Sequence, residues 1–216
     1  MIRTAPEGRV FIIVAWAVAL VLIGLAAFRT SAWWIVAAAV WGVLAVWVVA
    51  FFRDPERAWT RGEQLIVAPA DGKVVSVTQV DEPAFFQGRA ERISIFMNVF
   101  DCHVNRYPTD GTVAYRHYNP GEFGHAGAEK ASLSNEQSSI GLTTARGKLL
   151  VRQIAGLVAR RIVTDHQRGD VVHQGERLGM IRFGSRVDLF LPLGTPVLVH
   201  VGDTTRVGVT VVAQWS

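Results

Sequence analysis

"GERLGMIRFGSRVDLFLP", residues 175–192, is the stretch on which the fold turns. β-branched, aromatic and other apolar residues run through 177–183 and again through 187–191, and the Gly184-Ser185 pair between them is turn chemistry. Apolar runs this short, bounded by turn residues, have strand length rather than helix length. The same punctuation continues in both directions. Short β-runs at 65–68, 73–77, 92–99, 111–118, 148–154, 160–163, 196–201 and 206–213 are separated by Gly, Asp and Pro. Strands at such spacing predict a mainly β, barrel-sandwich-like soluble domain rather than βαβ units. Helix is expected there only as a small piece around 99–103. Residues 119–139, "NPGEFGHAGAEKASLSNEQSS", show no period. A loop of that length in a compact domain is a binding or active-site loop, or disordered, and its Phe123 and His125 favour the site.

The first quarter of the chain is different. Residues 10–28 and 30–52 carry no charged side chain, and only Arg29 separates them. Each run can cross a hydrocarbon core of about 30 Å as a helix. A cleaved signal peptide has one apolar region, so two in succession predict a retained N-terminal transmembrane α-helical hairpin, turning at Arg29, Thr30 and Ser31. Residues 1–52 are therefore expected to form a membrane anchor and 53–216 a separate domain. The division falls at Arg53-Asp54-Pro55, because a helix seldom continues past the residue before proline. Arg3 and Arg9 precede the hairpin, and Arg53, Arg57 and Arg61 follow it. The positive-inside rule then puts both flanks, and the domain, on the cytoplasmic side of the cell (inner) membrane. Trp33, Trp34 and Trp47 near the span ends fit an interfacial belt, whereas Trp41 falls mid-span.

Net charge is +4 over 216 residues. The arginines flanking the hairpin would favour an anionic leaflet by about 1 kcal/mol each. No Lys/Arg run with interleaved aromatics points to nucleic acid, which is excluded as a partner. The single cysteine, Cys102, rules out an internal disulfide and fits a reducing compartment. The six histidines include no H-x-x-x-H pair, and Asp101-Cys102-His103 is too tight to chelate one ion, so no metal is expected. A Gly-rich phosphate loop and a G-x-S-x-G elbow are likewise missing. What remains is a set of polar residues at β-turns: Asp71, His103, His125, Glu136 and Ser185. Singly, each is ordinary, since Asp-Gly and Gly-Ser favour turns and a lone histidine is usually structural.

Read together and in order, five stretches resemble the phosphatidylserine decarboxylase proenzyme family in its short bacterial form. They are "FFRDPERAWT" after the apolar spans, "VAPADGKV", "ISIFMNVFDCHVNRYPTDGTV", "YNPGEFGHA" with a following "NE", and the block from Gly175 to Pro192. The resemblance implies that the protein cuts its own Gly184–Ser185 bond, giving a large chain, 1–184, and a small chain, 185–216. Ser185 Oγ attacks the Gly184 carbonyl carbon and turns the amide into an ester; glycine places no side chain over that carbon. Elimination across Cα–Cβ of Ser185 expels the Gly184 carboxylate. The dehydroalanine left behind hydrolyses, with loss of ammonia, to an N-terminal pyruvoyl group, the implied cofactor. A serine hydroxyl needs a base nearby, and the resemblance assigns that task to Asp71 with a histidine. In turnover it implies a Schiff base between the pyruvoyl carbonyl and the amine of a membrane phospholipid, phosphatidylserine. CO₂ leaves, its electrons drawn into the pyruvoyl group, and His103 is the candidate to protonate the former Cα before phosphatidylethanolamine is released.

One departure from the family pattern stands out. Longer members read D-Y-H-x-x-H-x-P where this chain reads Asp101-Cys102-His103-Val104-Asn105-Arg106-Tyr107-Pro108. Arg106 occupies the second histidine position and, always protonated, cannot be a general base. Either His103 serves both maturation and turnover, or His125 enters from the long loop. Arg106 becomes a candidate to hold the substrate phosphate or carboxylate, with His125 the second substrate-binding candidate. "NEQ" also stands where "NER" is usual. A homodimer of processed protomers is expected from an exposed β-edge.

Two other functions fit parts of the chain. "VAPADGKVVSV" and "GDVVHQGERLGMI" resemble the hairpin halves of biotinyl and lipoyl domains, so a membrane-fusion-type adaptor with a barrel-sandwich interaction domain is the alternative. It requires a long heptad-bearing helical hairpin after the anchor, and none is visible. A biotin or lipoyl carrier requires a lysine at a hairpin tip, which neither Lys73 nor Lys148 supplies.

Overall fold

A computed structural model describes residues 3–29, 31–121, 135–156, 161–182 and 185–215. They divide into two units, Met1–Glu56 and Arg57–Ser216.

The first unit holds α1 (Arg9–Arg29) and α2 (Ala32–Phe51), both long and apolar enough to cross a membrane. Ala15 and Ala19 of α1 meet Ala45 of α2, small residues that let the two backbones approach. The mid-span Trp41 is explained by the same seam: its indole N–H donates to the Ala15 carbonyl at 2.8 Å, so it fastens the helices together. Thr4 bridges Arg53, and the Ala5 and Asp54 amides donate to Phe52 O and Arg3 O, each at 2.8 Å. The two flanks of the hairpin are thus tied to each other.

The second unit is built of strands. In chain order they are β1 (Leu65–Val67), β2 (Gly72–Glu82), β3 (Gly88–Met97), β4 (Val104–Arg106), β5 (Gly111–Pro120), β6 (Glu136–Thr144) and β7 (Gly147–Ala155). There follow β8 (Ile162–Thr164), β9 (Val171–Val172), β10 (Arg177–Ile181), β11 (Ser185–Pro192), β12 (Thr204–Thr205) and β13 (Val211–Gln214). Among the described residues they form one large sheet, in the order β12-β2-β3-β11-β7-β6-β5-β9, and two small ones, β4-β10-β8 and β1-β13. Every pairing is antiparallel.

β11 lies near the middle of the large sheet, and its alternation sets the layers. Val187, Leu189 and Leu191 face a core shared with Ile93 and Ile95 of β3, Val151 of β7, Ile66 of β1 and Ile181 of β10. The small sheets therefore cover one face of the large one, which is the expected mainly β, sandwich-like body. On the other face stand Arg186, Asp188 and Phe190. Arg186 and Asp188 form an ion pair at 2.9 Å whose side chains are 3% and 0% exposed. Phe190 packs with Phe85, Ala90 and Leu150.

Several expectations are corrected. Residues 99–103 form a turn closed by Asn98 and Asp101, not a helix. Within 196–201 only Val197 makes a bridge, to Ala213, and the strand expected over 206–213 begins at Val211 because Thr210 Oγ1 accepts the Arg206 amide and shapes a turn. The aperiodic stretch 119–139 contains the end of β5 and the start of β6. β6 is polar in sequence, yet its first seven residues are buried, because β5 and β7 pair with it on both sides. No α-helix occurs among the described residues of this unit, so the helical hairpin of an adaptor is not found. The outer strands of the large sheet, β12 and β9, have two residues each and pair only with the first two residues of β2 and β5, so among the described residues most of β2 and of β5 has a strand neighbour on one side only.

Candidate active site

Three strand ends create the site. Lys73 of β2 and Arg186 of β11 both pair with Phe96 of β3, so the start of β2, the end of β3 and the start of β11 share one rim of the large sheet. Ser185 is the first residue of β11, and Asp71 directly precedes β2. His103 arrives at the same rim from the small sheet: Val104 pairs with Met180, and the Ile181 amide donates to His103 O at 3.4 Å, four residues before Ser185. Asp71, His103 and Ser185, scattered in sequence, are therefore gathered at one end of the fold. Gly184 and His125 lie outside the described residues.

Ser185 is fully buried between Met97 and Ala155, its register partners on β3 and β7. Its hydroxyl donates to Met97 Sδ at 3.4 Å. The thioether also accepts from Asn105 Nδ2 at 3.7 Å, and Asn105 Oδ1 accepts from Gln153 Nε2 at 2.8 Å. Gln153 Oε1 in turn accepts from Thr164 Oγ1 at 3.3 Å. A buried polar chain thus runs from the serine into the core, each member held by the next. Asn135 adds to this support, donating to the carbonyl of Ala155 at 2.7 Å. Its neighbour Glu136 accepts from the Tyr118 hydroxyl at 2.7 Å, a bond that raises the phenol above its usual range.

His103 is fully buried, and its Nδ1 lies 3.0 Å from the carbonyl of Asp101. A carbonyl only accepts, so Nδ1 carries the proton, and in the neutral ring Nε2 is the basic nitrogen. Asp71 has partners that the sequence did not announce. Arg57 donates to both of its oxygens, Nη1 to Oδ1 at 2.6 Å and Nη2 to Oδ2 at 2.7 Å, and the Val207 amide donates to Oδ1 at 2.7 Å. Arg57 stands in the "FFRDPERAWT" stretch, where it counted only as a basic flank of the hairpin. The signal that could have found it is chemical: a carboxylate in a tight turn between strands is buried, and a buried carboxylate needs a cation.

Arg106 sits on the other side of its short strand from Asn105. Its guanidinium lies 4.4 Å from the ring centroid of Trp59 and donates to Gly175 O at 3.0 Å. Next to it Tyr107 is fully buried, and burial pushes its hydroxyl far above the normal range, with Glu176 adding to the shift. A groove of about 630 Å³, lined by residues such as Thr109, Arg146, His173 and Trp215, includes none of Ser185, His103 and Asp71. The groove and the buried serine, imidazole and carboxylate are therefore separate features, and the three polar residues are the candidate site.

Comparison with known proteins identifies the family. The sequence model of the family described as phosphatidylserine decarboxylase matches residues 44–213. A phosphatidylserine decarboxylase proenzyme of Magnetococcus marinus is 45% identical over 193 residues, covering 88% of each chain. The proenzyme of that name from Symbiobacterium thermophilum is 46% identical over 194 residues, 89% of this chain and 90% of its own. That of Citrifermentans bemidjiense is 46% identical over 208 residues, 96% and 94% of the two chains. With a match that runs from the second apolar helix to the last strand, the chain belongs to the phosphatidylserine decarboxylase family.

Proposed function

We propose that this protein is a self-processing, pyruvoyl-dependent enzyme that decarboxylates phosphatidylserine to phosphatidylethanolamine. The observation that carries the proposal is the placement of Ser185: fully buried, first in its strand, and at the rim that also holds His103 and Asp71. The family and the names of the relatives support the overall reaction. Maturation is cleavage of Gly184–Ser185, with Ser185 Oγ attacking the Gly184 carbonyl carbon. Nε2 of His103, or a carboxylate oxygen of Asp71, takes the hydroxyl proton. Arg57 holds the Asp71 carboxylate in place through two bonds, and the Asn105–Met97 contact holds the serine rotamer.

The site fits the group that would be formed. A pyruvoyl group has the three carbons of serine, Cβ becoming the methyl and a keto oxygen replacing the nitrogen on Cα, and Met97 Sδ, beside the departed Oγ, suits a methyl neighbour as well as a hydroxyl. The group supplies a carbonyl conjugated to an amide, an acceptor for the electrons released when CO₂ leaves. The chain's residues supply the rest. Ala155 and Met97 exclude water from position 185, and His103, with its Nδ1 proton held by Asp101 O, moves a proton at Nε2. The hairpin of α1 and α2 keeps the enzyme at the bilayer that contains its substrate. The tied flanks and their arginines favour the cytoplasmic side of the inner membrane.

Intact-mass measurement of the purified protein tests the proposal. Two chains divided at Gly184–Ser185 are expected, the small one lighter by one ammonia than the plain hydrolysis product. The Ser185→Ala protein is expected to remain a single folded chain without activity. A wild-type chain that stays whole in membranes, or an active Ser185→Ala protein, refutes the mechanism.

A further inference from the structure

The turn between β3 and β4 exposes side chains that water does not favour. Phe100 is 71% exposed and Val99 37%. Neither hangs on a slack loop. The Asn98 amide donates to Asp101 Oδ2 at 2.8 Å, the Phe100 amide to Asn98 Oδ1 at 2.8 Å, and the Asp101 amide to Asn98 O at 3.0 Å. Side-chain-to-backbone bonds of this kind fix a turn, so the polar residues at either end hold the apolar pair outward. A large apolar side chain kept in water by the local structure marks a contact surface.

Its location identifies the partner. Met97, which pairs with Ser185, ends the strand before the turn, and His103 follows directly after it. The apolar tip therefore stands at the rim that carries the chemistry. Cations share that rim: Lys73 is exposed on the strand that pairs with Phe96, and Arg161 and Arg182, joined by a backbone bond of 3.3 Å, lie at the end of β10. Acids of that rim are engaged, Asp71 by Arg57, Asp101 by the Asn98 amide and Glu136 by the Tyr118 hydroxyl. An apolar tip on a rim that carries cations matches the boundary between anionic headgroups and acyl chains; a protein partner would need matching carboxylates and a socket for the phenyl ring.

We propose that the Val99–Phe100 turn dips into the headgroup–acyl boundary of an anionic bilayer and holds the catalytic rim against the surface from which lipid is drawn. The proposal rests on the decarboxylase function only for the path that the substrate takes. The test uses the full chain in vesicles of phosphatidylglycerol and phosphatidylcholine, with a nitroxide on Phe100→Cys and, as reference, on Arg168→Cys in the exposed turn before β9. Cys102, 1% exposed, is controlled by labelling the wild type. At position 100, dissolved oxygen is expected to relax the nitroxide more than a water-soluble nickel chelate does, and at 168 the reverse. Equal exposure of both positions to the chelate overturns the proposal. Protection of position 100 from both reagents also overturns it, because a second protein copy then covers the turn.

This readout needs no turnover, so it decides membrane contact even if decarboxylation fails. A second measurement uses Phe100→Ser. Its kcat/KM on vesicle phosphatidylserine is expected to fall about tenfold relative to that on short-chain, monomeric phosphatidylserine, reflecting the apolar area no longer buried. An equal fall on both substrates counts against the proposal.

Discussion

Replacing Arg57 by alanine should destabilise the catalytic unit by a predictable amount. The Arg57 and Asp71 side chains are 18% and 12% exposed, and the arginine contributes two charge-assisted bonds of 2.6 and 2.7 Å. Breaking a fully buried pair costs about 3–5 kcal/mol, whereas an exposed pair contributes about 1 kcal/mol or less. Asp71 keeps the Val207 amide and a little solvent, which places Arg57→Ala at about 2–3 kcal/mol, below the fully buried case. For a domain of about 150–250 residues that lowers Tm by roughly 5–10 °C. The measurement belongs in a Ser185→Ala background, where every variant stays uncut, with thermal unfolding followed in detergent. If the orphaned carboxylate is the cause, adding Asp71→Asn should restore part of the loss, and the double variant should be more stable than Arg57→Ala alone. Strict additivity of the two single changes would show that the pair contributes no coupling and would refute the reasoning.

Gly72→Ala should be severe: φ is +150° and an added Cβ would lie 2.2 Å from Phe96 O, so a loss of about 3 kcal/mol or more, read as lost folded yield and no cleavage, is expected. Asn105→Leu should cost about 1–3 kcal/mol by stranding Gln153 Nε2, and pulse-chase should show slower cleavage because Met97 loses its second contact. Adding Gln153→Leu should recover stability but not the cleavage rate. His103→Ala should block both cleavage and turnover in a folded protein; if cleavage of His103→Ala proceeds at the wild-type rate, another residue is the base of maturation.

The strands that hold the site were legible where burial on both faces left an apolar record, as in β3, β7 and β11. Polar β6 was not, since Gln137, Ser138 and Ser139 read as loop until cross-strand neighbours bury them. The site was legible as residue types, Asp71, His103 and Ser185, but not as a geometry. Their placement on one rim depends on β2, β3 and β11 sharing a register at Phe96, which no local pattern encodes. Arg57 was hidden for a related reason. Near a membrane span an arginine has an adequate explanation already, so its second task, clamping Asp71, left no separate mark in the sequence.

Arg106 shows what the lost second histidine is exchanged for. A histidine there would offer a second titrating group; the arginine instead stacks on Trp59 and binds Gly175 O, fixing the turn before β10. β10 leads to Ser185, and Asn105, the neighbour of Arg106, touches Met97 beneath the serine hydroxyl. The substitution thus trades a proton carrier for a brace on both approaches to residue 185. In the proposed mechanism proton transfer falls to His103, whose Nδ1 lies 3.0 Å from Asp101 O, with Nε2 acting first on the Ser185 hydroxyl and later on the substrate carbon. One imidazole suffices for both because the two steps never coexist: the hydroxyl that it first serves is consumed in making the group that the second step needs.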